Sequence, residues 1–322
     1  DRLSRKWLIV GSLFVWSAVT FLMGYATTFE QLYGLRAVMG ISEALYIPSA
    51  LSLIADWHQD KSRSLAIGVH MTGLYVGQAI GGFGATAAAA FSWQSTFHWF
   101  GIVGIAYSVV LIFFLHENPV RMKIEKVVAN GISKGNSIGK GLLLLFSNIS
   151  FWVILFYFAA PSLPGWATKN WLPTLFAENL DIPMSQAGPI STITIALSSF
   201  VGVILGGFLS DRWVLKNIRG RVYTGAIGLG MTIPALLLLG FGHGFISVIG
   251  AGLLFGIGFG IFDANNMPIL CQFVSAKYRG TAYGIMNMTG VFAGAAVTQL
   301  LGKWTDGGSL GEGFAMLSIV VA

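Results

Sequence analysis

The sequence predicts an all-α polytopic membrane protein, because apolar residues dominate it and recur in long segments. Of its 322 residues, 55% are hydrophobic and only 10% are charged, whereas soluble globular domains carry about 25% charged residues. A helix needs about 20 mainly apolar residues to cross a bilayer. Ten segments of this kind are predicted, and the tenth runs to the last residue: 7–27, 31–55, 65–90, 94–115, 149–175, 187–209, 222–241, 245–272, 279–301 and 312–322.

The basic residues determine the predicted orientation. Sixteen of the 19 Lys and Arg residues fall in alternate loops, and the opposite loops hold only Lys303. Because cytoplasmic loops carry an excess of Lys and Arg, the basic loops are predicted to be cytoplasmic. The net charge of +6 then reflects topology and not a nucleic-acid-binding surface. The short outer loops lack a usable glycosylation site, which favours a bacterial inner membrane protein.

Three short patterns occur twice in the same order, which predicts two related halves. Glu43 and Pro48 are separated by four residues, and so are Asp263 and Pro268. Two further patterns, Arg-x4-Gly and Asp-Arg, are also repeated, at 63–68, 279–284, 1–2 and 211–212. Because both Asp-Arg pairs lie on the cytoplasmic side, the two halves are predicted to cross the membrane with the same orientation.

The predicted domains follow from this duplication. An N-terminal helical bundle covers 1–115, a cytoplasmic central loop covers 116–147 and a C-terminal bundle covers 148–322. The loop is polar, basic and contains glycine, a composition typical of a linker.

Four stretches resemble a known family. "DRLSRK" at 1–6 resembles the end of the loop motif between the second and third helices of the major facilitator superfamily, with Ser4 in place of the usual glycine. "GGFLSDRWVLK" at 206–216 resembles the second copy of that motif. "RAVMGISEALYIPSA" at 36–50 resembles the fourth helix of the anion:cation symporter branch, which includes sialin, vesicular glutamate transporters and hexuronate and galactonate permeases. "WLPTLF" at 171–176 resembles the seventh helix of that branch.

The resemblance implies two parallel-repeat helical bundles that perform secondary active transport by alternating access. It implies a chain truncated at both ends, with the first two family helices preceding Asp1. The implied activity is proton-coupled symport of a small organic anion such as a uronate, another sugar acid or sialic acid. Uptake of neutral sugars and efflux of amphipathic compounds are alternatives for the same fold, and a solute receptor that does not transport is a remote one.

Two opposite charges lie within the second predicted span. Arg36 and Glu43 are seven residues apart, which on an α-helix places them about 20° apart around the axis and about 10 Å apart along it. An ionisable residue near the bilayer centre costs about 2.5–3.5 kcal/mol on insertion scales, so it usually has a function or a partner. The resemblance implies that Glu43 couples protons and that Arg36 either attracts the anion or tunes Glu43. A static Arg36–Glu43 pair that joins helices is the alternative.

Other polar residues within the spans are candidates for substrate binding. Together with Arg36 they are Gln78, Tyr157, Lys169, Asn170, Asp263, Asn265 and Asn266. The alternatives are hydrogen bonding between helices and, for Lys169, snorkelling to the membrane interface. Beside Gln78, the glycines Gly73, Gly77 and Gly81 recur every four residues, a stripe that permits close helix contact.

The two Asp-Arg loops are predicted to gate the cytoplasmic side through Asp1, Arg2, Arg5, Lys6, Asp211 and Arg212. The sequence has no P-loop signature and no His/Cys cluster, so neither ATP, a metal nor another cofactor is predicted. It also has no nucleophile–base pair, so an enzyme is not expected. The expected partners are a small-molecule substrate, protons and the lipid bilayer, and the expected state is a monomer.

Overall fold

The computed structural model of the chain describes residues 4–57, 63–117, 143, 145–274 and 279–322. Within these ranges the regular secondary structure is α-helical, and seven helical stretches are long and apolar enough to cross a membrane. The helices are α1 (Arg5–Met23), α2 (Phe29–Glu43), α3 (Tyr46–Trp57), α4 (Arg63–Gly81), α5 (Gly84–Ala90), α6 (Trp93–Phe114), α7 (Ile149–Leu180), α8 (Met184–Val214), α9 (Gly220–Phe241), α10 (Phe245–Asp263), α11 (Asn266–Phe273), α12 (Arg279–Asp306) and α13 (Leu310–Val321).

Three of the predicted spans contain two helices each, where the sequence suggested one. The helices α2 and α3 occupy 31–55, α4 and α5 occupy 65–90, and α10 and α11 occupy 245–272. The break between α4 and α5 lies at residues 82–83, in a stretch with three glycines. Each glycine in a helix interior costs about 1 kcal/mol relative to alanine, so this stretch is a weak point in the helix.

The other two breaks share one cause in the sequence. Pro48 and Pro268 are each the third residue of the second helix of their span. Proline lacks an N–H and its ring clashes with the carbonyl group four residues earlier, which places the interruptions at Ala44 and Ala264. The first turn of a helix tolerates proline, because its N–H groups have no partner within the helix. A new helix can therefore begin just before each proline.

The described residues form two units, one within 1–74 and 84–135 and the other within 75–83 and 136–322. Helix α4 contributes to both, because its residues from Tyr75 onward belong to the second unit. The predicted domain boundaries remain a prediction. Most of the predicted central loop, residues 118–142 and 144, lies outside the described residues.

In the first unit, α1 packs against α2, α3 and α6. Its approach to α6 is close, since a Cβ atom added at Gly101 would lie 2.5 Å from the backbone nitrogen of Phe21. Ile9 of α1 also joins Ala50 and Leu53 of α3 in an apolar cluster. Because α1 contacts both α2 and α3, it supports the break between them from one side.

In the second unit, α10 packs against α8 on one side and α9 on the other. A Cβ atom added at Gly206 of α8 would lie 2.7 Å from the Cα atom of Ile261 in α10, and one added at Gly228 of α9 would lie 2.5 Å from the carbonyl oxygen of Gly258. Small residues at such positions let membrane helices approach closely. These contacts hold the C-terminal half of α10, which ends at the second break.

The glycine stripe predicted from the sequence does not form a helix contact. Within the described part of the chain, a Cβ atom added at Gly73, Gly77 or Gly81 would have nothing within 4 Å. The close helix contact that this spacing permits is therefore not formed there among the described residues. The close approach occurs at Gly82, where an added Cβ atom would overlap the side chain of Thr192. Spacing shows which residues share a face, but not whether another helix lies on that face.

Candidate functional site

Glu43 is the last residue of α2 and not the middle of a continuous helix as expected. The chain turns at Ala44 and Leu45, and α3 begins at Tyr46. The hydroxyl group of Ser12 in α1 donates a hydrogen bond of 2.5 Å to the carbonyl oxygen of Ser42. This bond fixes the last turn of α2, while the side chain of Glu43 itself is exposed.

Arg36 and Glu43 both belong to α2, so the predicted spacing along one face of a helix holds. Both side chains are exposed. Among the residues that the structure describes, neither of them forms a hydrogen bond or an ion pair. The static pair considered from the sequence is therefore not formed in this structure, and both charged groups are accessible to a ligand.

Aromatic side chains surround the start of α3. The ring of Tyr46 lies edge-to-face with Trp16 of α1, with centroids 6.0 Å apart, and 6.0 Å from the ring of His70 in α4. Nε2 of His70 is buried and has no hydrogen-bond partner among the described residues. The sequence predicts no role for His70, because a single histidine in an apolar span carries no signal about its neighbours.

Asp263 is the last residue of α10, and its carboxyl group is held by the helix that follows. Nδ2 of Asn266 in α11 donates a hydrogen bond of 3.1 Å to Oδ1 of Asp263. Nδ2 of Asn265 donates one of 2.8 Å to the carbonyl oxygen of Ile261. The side chain of Asn265 is fully buried, and its Oδ1 has no partner within the described ranges.

Three side chains from three helices lie within electrostatic range of Asp263. They are Lys169 of α7, Tyr75 of α4 and Tyr283 of α12. Among the described residues Lys169 makes no ion pair within 4.0 Å, and its Nζ lies 4.9 Å from the centre of the Trp166 ring. The sequence predicts Lys169 and Asp263 as substrate-binding candidates but not Tyr75 or Tyr283, because no spacing connects these distant stretches.

No contact among the described residues brings the remaining substrate-binding candidates into this group. Nδ2 of Asn170 donates a hydrogen bond of 2.9 Å to Oγ1 of Thr298, which joins α7 to α12. The hydroxyl group of Tyr157 is buried, has no partner within the described ranges and faces Gly225. Tyr157 also lines an apolar cavity of about 260 Å³ between α7, α9 and α11. Gln78 is half-buried, one turn from Tyr75 on α4.

The first predicted gating segment is anchored by a residue that the sequence analysis missed. Oε1 of Glu117 accepts hydrogen bonds from the hydroxyl group of Ser4, at 2.6 Å, and from the backbone N–H of Lys6, at 3.1 Å. Nζ of Lys6 donates to the carbonyl oxygen of Ile112 at 2.7 Å. Arg5 is the first residue of α1, and the predicted gate residues Asp1 and Arg2 lie outside the described residues.

The second predicted gating segment contains an ion pair at the start of α9. A guanidinium nitrogen of Arg221 lies 3.3 Å from Oδ1 of Asp211. The side chain of Asp211 is 74% exposed, so this pair belongs to the class of weak surface pairs. The guanidinium carbon of Arg212 lies 4.0 Å from the centre of the Phe208 ring.

A comparison with known families matches residues 1–298 to the Major Facilitator Superfamily. The chain belongs to this superfamily. It is therefore a multi-pass integral membrane protein of a transporter family and not an enzyme, as the sequence predicted.

Similar proteins of known name include anion transporters. The D-galactonate transporter of Escherichia coli is 26% identical over 99% of this chain and 78% of its own length. A probable galactarate/D-glucarate transporter of the same species, GarP, is 25% identical over 94% of this chain and 73% of its own length. The voltage-gated purine nucleotide uniporter of Rattus norvegicus is 24% identical over 84% of this chain and 62% of its own length. These relatives confirm the resemblance to the anion-transporting branch.

The fold is shared with a solved transporter. A bacterial homologue of the human lysosomal transporter Spinster, in an inward-facing and occupied conformation, superposes with a TM-score of 0.74 at 18% identity. The match covers 100% of this chain and 81% of that one. At this identity the similarity shows the fold alone.

Proposed function

We propose that this protein is a secondary active transporter that takes up a small organic anion, of the sugar-acid, uronate or sialic-acid type, together with protons. The observation that carries the proposal is the accessible carboxyl group of Glu43, at the end of a half-helix and without an ionic partner among the described residues. In transporters with broken helices, the C-terminal ends of half-helices take part in binding the coupling Na⁺ or H⁺. The names of the Escherichia coli relatives support a sugar acid as the substrate.

Arg36 supplies a positive charge on the same helix as Glu43. A guanidinium group stays charged at all physiological pH values and can bind a carboxylate with two parallel hydrogen bonds. Because the side chain is exposed and makes no ion pair in the described part of the chain, it is free to bind a substrate carboxylate. In this proposal Arg36 attracts the anion, and tuning of Glu43 is its alternative role.

The proposed cycle uses the charge of Glu43 to link the two fluxes. A protonated Glu43 is neutral and does not repel an incoming anion, whereas an ionised Glu43 does. Binding of the anion and of the proton therefore favour each other, and release of the proton on the other side promotes release of the anion. The two helical units expose the site to the two sides in turn, and the protein works as a monomer in the bilayer.

The test is uptake into proteoliposomes containing the full-length protein. Labelled D-galactonate, D-glucuronate and N-acetylneuraminate, which each carry one carboxylate, are supplied with and without an inward proton gradient, and D-galactose serves as the neutral control. At least one of the three anions should accumulate above its equilibrium level, and a protonophore should abolish the accumulation. Uptake of D-galactose without any anion would favour neutral-sugar transport, and binding without uptake would favour a receptor.

A further inference from the structure

We propose that the second unit binds an anionic phospholipid at its predicted cytoplasmic end, with an acyl chain in the apolar cavity between α7, α9 and α11 and the phosphate group beside Lys216 and Arg219. The lipid site is separate from Glu43, which belongs to the first unit, and it does not depend on which substrate is transported. The lining of the cavity, its position along the helices and the charges beside it support the proposal.

The cavity has a lining that suits a hydrocarbon chain. Its volume is about 260 Å³, and its walls include Val222 of α9 and Ile269 and Phe273 of α11. On α7 the lining is apolar except for Ser150 in the first turn and Tyr157. One water molecule takes about 30 Å³ of the liquid, and larger cavities with apolar walls stay dry. The expected occupant is therefore an apolar chain and not a group of water molecules.

The position of the cavity along the helices matches one leaflet of the bilayer. Its lining on α7 runs from Ile149, the first residue of the helix, to Tyr157, which is about 12 Å at 1.5 Å per residue. Half of the hydrocarbon core is about 15 Å thick. Ile149 and Val153 are 77% and 63% exposed, so the cavity lies at a surface of the unit. A chain from the adjacent leaflet can therefore enter it from the side.

Basic side chains lie at the same end of the unit as the cavity. Residues 211–221, around the connection from α8 to α9, include four basic residues and one acidic residue. Nε2 of Gln272, next to Phe273 of the lining, donates a hydrogen bond of 3.4 Å to the carbonyl oxygen of Ile218. Val222 of the lining follows this segment directly. The basic segment is therefore held beside the cavity.

Two of the four basic side chains are available for a phosphate group. Asp211, the one acid of the segment, is paired with Arg221 at 3.3 Å, and the guanidinium group of Arg212 lies over an aromatic ring. Lys216 and Arg219 are exposed, and neither side chain forms a hydrogen bond or an ion pair among the described residues. Cytoplasmic leaflets carry anionic lipids, which attract Lys and Arg side chains near the surface.

The head group decides the specificity of this site. An acyl chain gains no hydrophobic free energy when it leaves the bilayer for the cavity, because both surroundings are apolar. Filling the cavity adds van der Waals contacts, which any lipid with the same chains makes. A preference for an anionic over a zwitterionic lipid therefore measures the effect of Lys216 and Arg219.

The first experiment measures lipid binding to the full-length protein in a neutral detergent by native mass spectrometry. Phosphatidylglycerol and phosphatidylcholine with identical acyl chains are added in equal amounts. The wild-type protein should retain phosphatidylglycerol preferentially, and Lys216→Gln combined with Arg219→Gln should lower this preference by about fivefold for each charge removed. Lys303→Gln, which removes a charge at the end of α12, should leave the preference unchanged. Glycerol 3-phosphate, which has the phosphate group without a chain, should not displace the lipid.

The second experiment locates the acyl chain. Phosphatidylglycerol with a diazirine on one acyl chain is photo-cross-linked to the protein, and the labelled residues are mapped on peptides. Labelling is expected within residues 149–157, 222 and 269–273. Val222→Phe, which fills part of the cavity, should reduce this labelling. Val201→Phe, at an exposed position of α8, is the matched control and should not.

Either experiment can overturn the proposal. Equal binding of the two lipids to the wild-type protein, or a preference that survives the loss of both charges, would show that Lys216 and Arg219 select no anionic head group. Labelling only outside the cavity would show that the chain does not occupy it. Displacement by glycerol 3-phosphate would make the site one for soluble phosphate compounds. The two charge substitutions alter exposed side chains, so they still test the proposal if Val222→Phe does not fold.

Discussion

The break after α2 and the break after α10 have the same backbone form and different side-chain surroundings. Each follows an acidic residue, and a proline five residues later prevents the first helix from continuing. Both side chains are exposed, but Glu43 makes no hydrogen bond or ion pair among the described residues, whereas Asp263 accepts a hydrogen bond from Asn266. A repeated backbone feature thus fixes where an acid lies, and its neighbours decide whether its carboxyl group has a hydrogen-bond partner.

The largest effect is expected from Glu43→Gln in the first break. In the wild-type protein, one linked proton allows a pH gradient to accumulate the anion by up to about tenfold per pH unit. Because the amide of Glu43→Gln cannot release a proton, this accumulation should be lost. Exchange of labelled for unlabelled anion should continue, because exchange needs no net proton movement. Both modes are measured by uptake and counterflow in the same proteoliposomes.

Arg36→Ala separates the proton role of Glu43 from the anion role of Arg36. It should impair both uptake and exchange, because it removes the positive charge that attracts the substrate. If Glu43→Gln accumulated the anion to the wild-type level, Glu43 would have no coupling role, and the contrast between the two breaks would be lost.

A large effect on stability is expected from Gly206→Ala, which tests the packing that supports the second break. The new methyl group would lie 2.7 Å from the Cα atom of Ile261, and overpacking of this kind costs about 1–3 kcal/mol. The neighbouring Gly207 has nothing within 4 Å of an added Cβ atom in the described part of the chain, so Gly207→Ala is the matched control. Thermal unfolding in detergent should show a lower Tm for Gly206→Ala only, and equal Tm values would show that α8 and α10 are not closely packed.

A smaller effect is expected from Asp211→Asn at the predicted cytoplasmic end of the second unit. The exposed pair with Arg221 belongs to a class of ion pairs that contribute about 0.2–1 kcal/mol. Losing the pair should therefore slow turnover by about two- to fivefold and leave the Kd of the anion nearly unchanged. Arg221→Gln should have the same effect, because it removes the other partner. The gating role would be wrong if binding collapsed while the turnover of bound substrate stayed the same.

The smallest effect is expected from Asn170→Ala, next to Lys169 on α7. Its hydrogen bond to Thr298 joins two helices, and one such bond contributes about 0.5–1.5 kcal/mol. The variant should unfold at a slightly lower temperature and keep the wild-type Kd for the anion. A clear rise in Kd without a change in Tm would make Asn170 a substrate ligand.

The two acidic residues and the prolines that follow them could be identified from the sequence, but the helix breaks that these prolines cause were not predicted. The repeated acid-x4-Pro pattern located both breaks, because proline acts on the carbonyl group four residues before it and this is a local effect. The sequence analysis nevertheless expected continuous helices there. The same rule does not suffice elsewhere, since α7 continues through Pro161, Pro164 and Pro173.

Other features could not be found from spacing. Gly73, Gly77 and Gly81 form a regular stripe without a neighbour in the described residues, while Gly202 and Gly206, which have the same four-residue spacing, touch α10. A four-residue period identifies a face of a helix. The presence of a second helix on that face depends on the other helices of the unit.

The sequence by itself determined the membrane-crossing segments, the family and the repeated acids. Apolar length and the proline effect act within about 20 residues, so a local stretch contains the whole cause. Only the tertiary structure decided that Gly206 of α8 and Gly228 of α9 touch α10 and that Asn170 is bonded to Thr298. These contacts join separate helices, and they follow from the packing of whole helices, which no local pattern specifies.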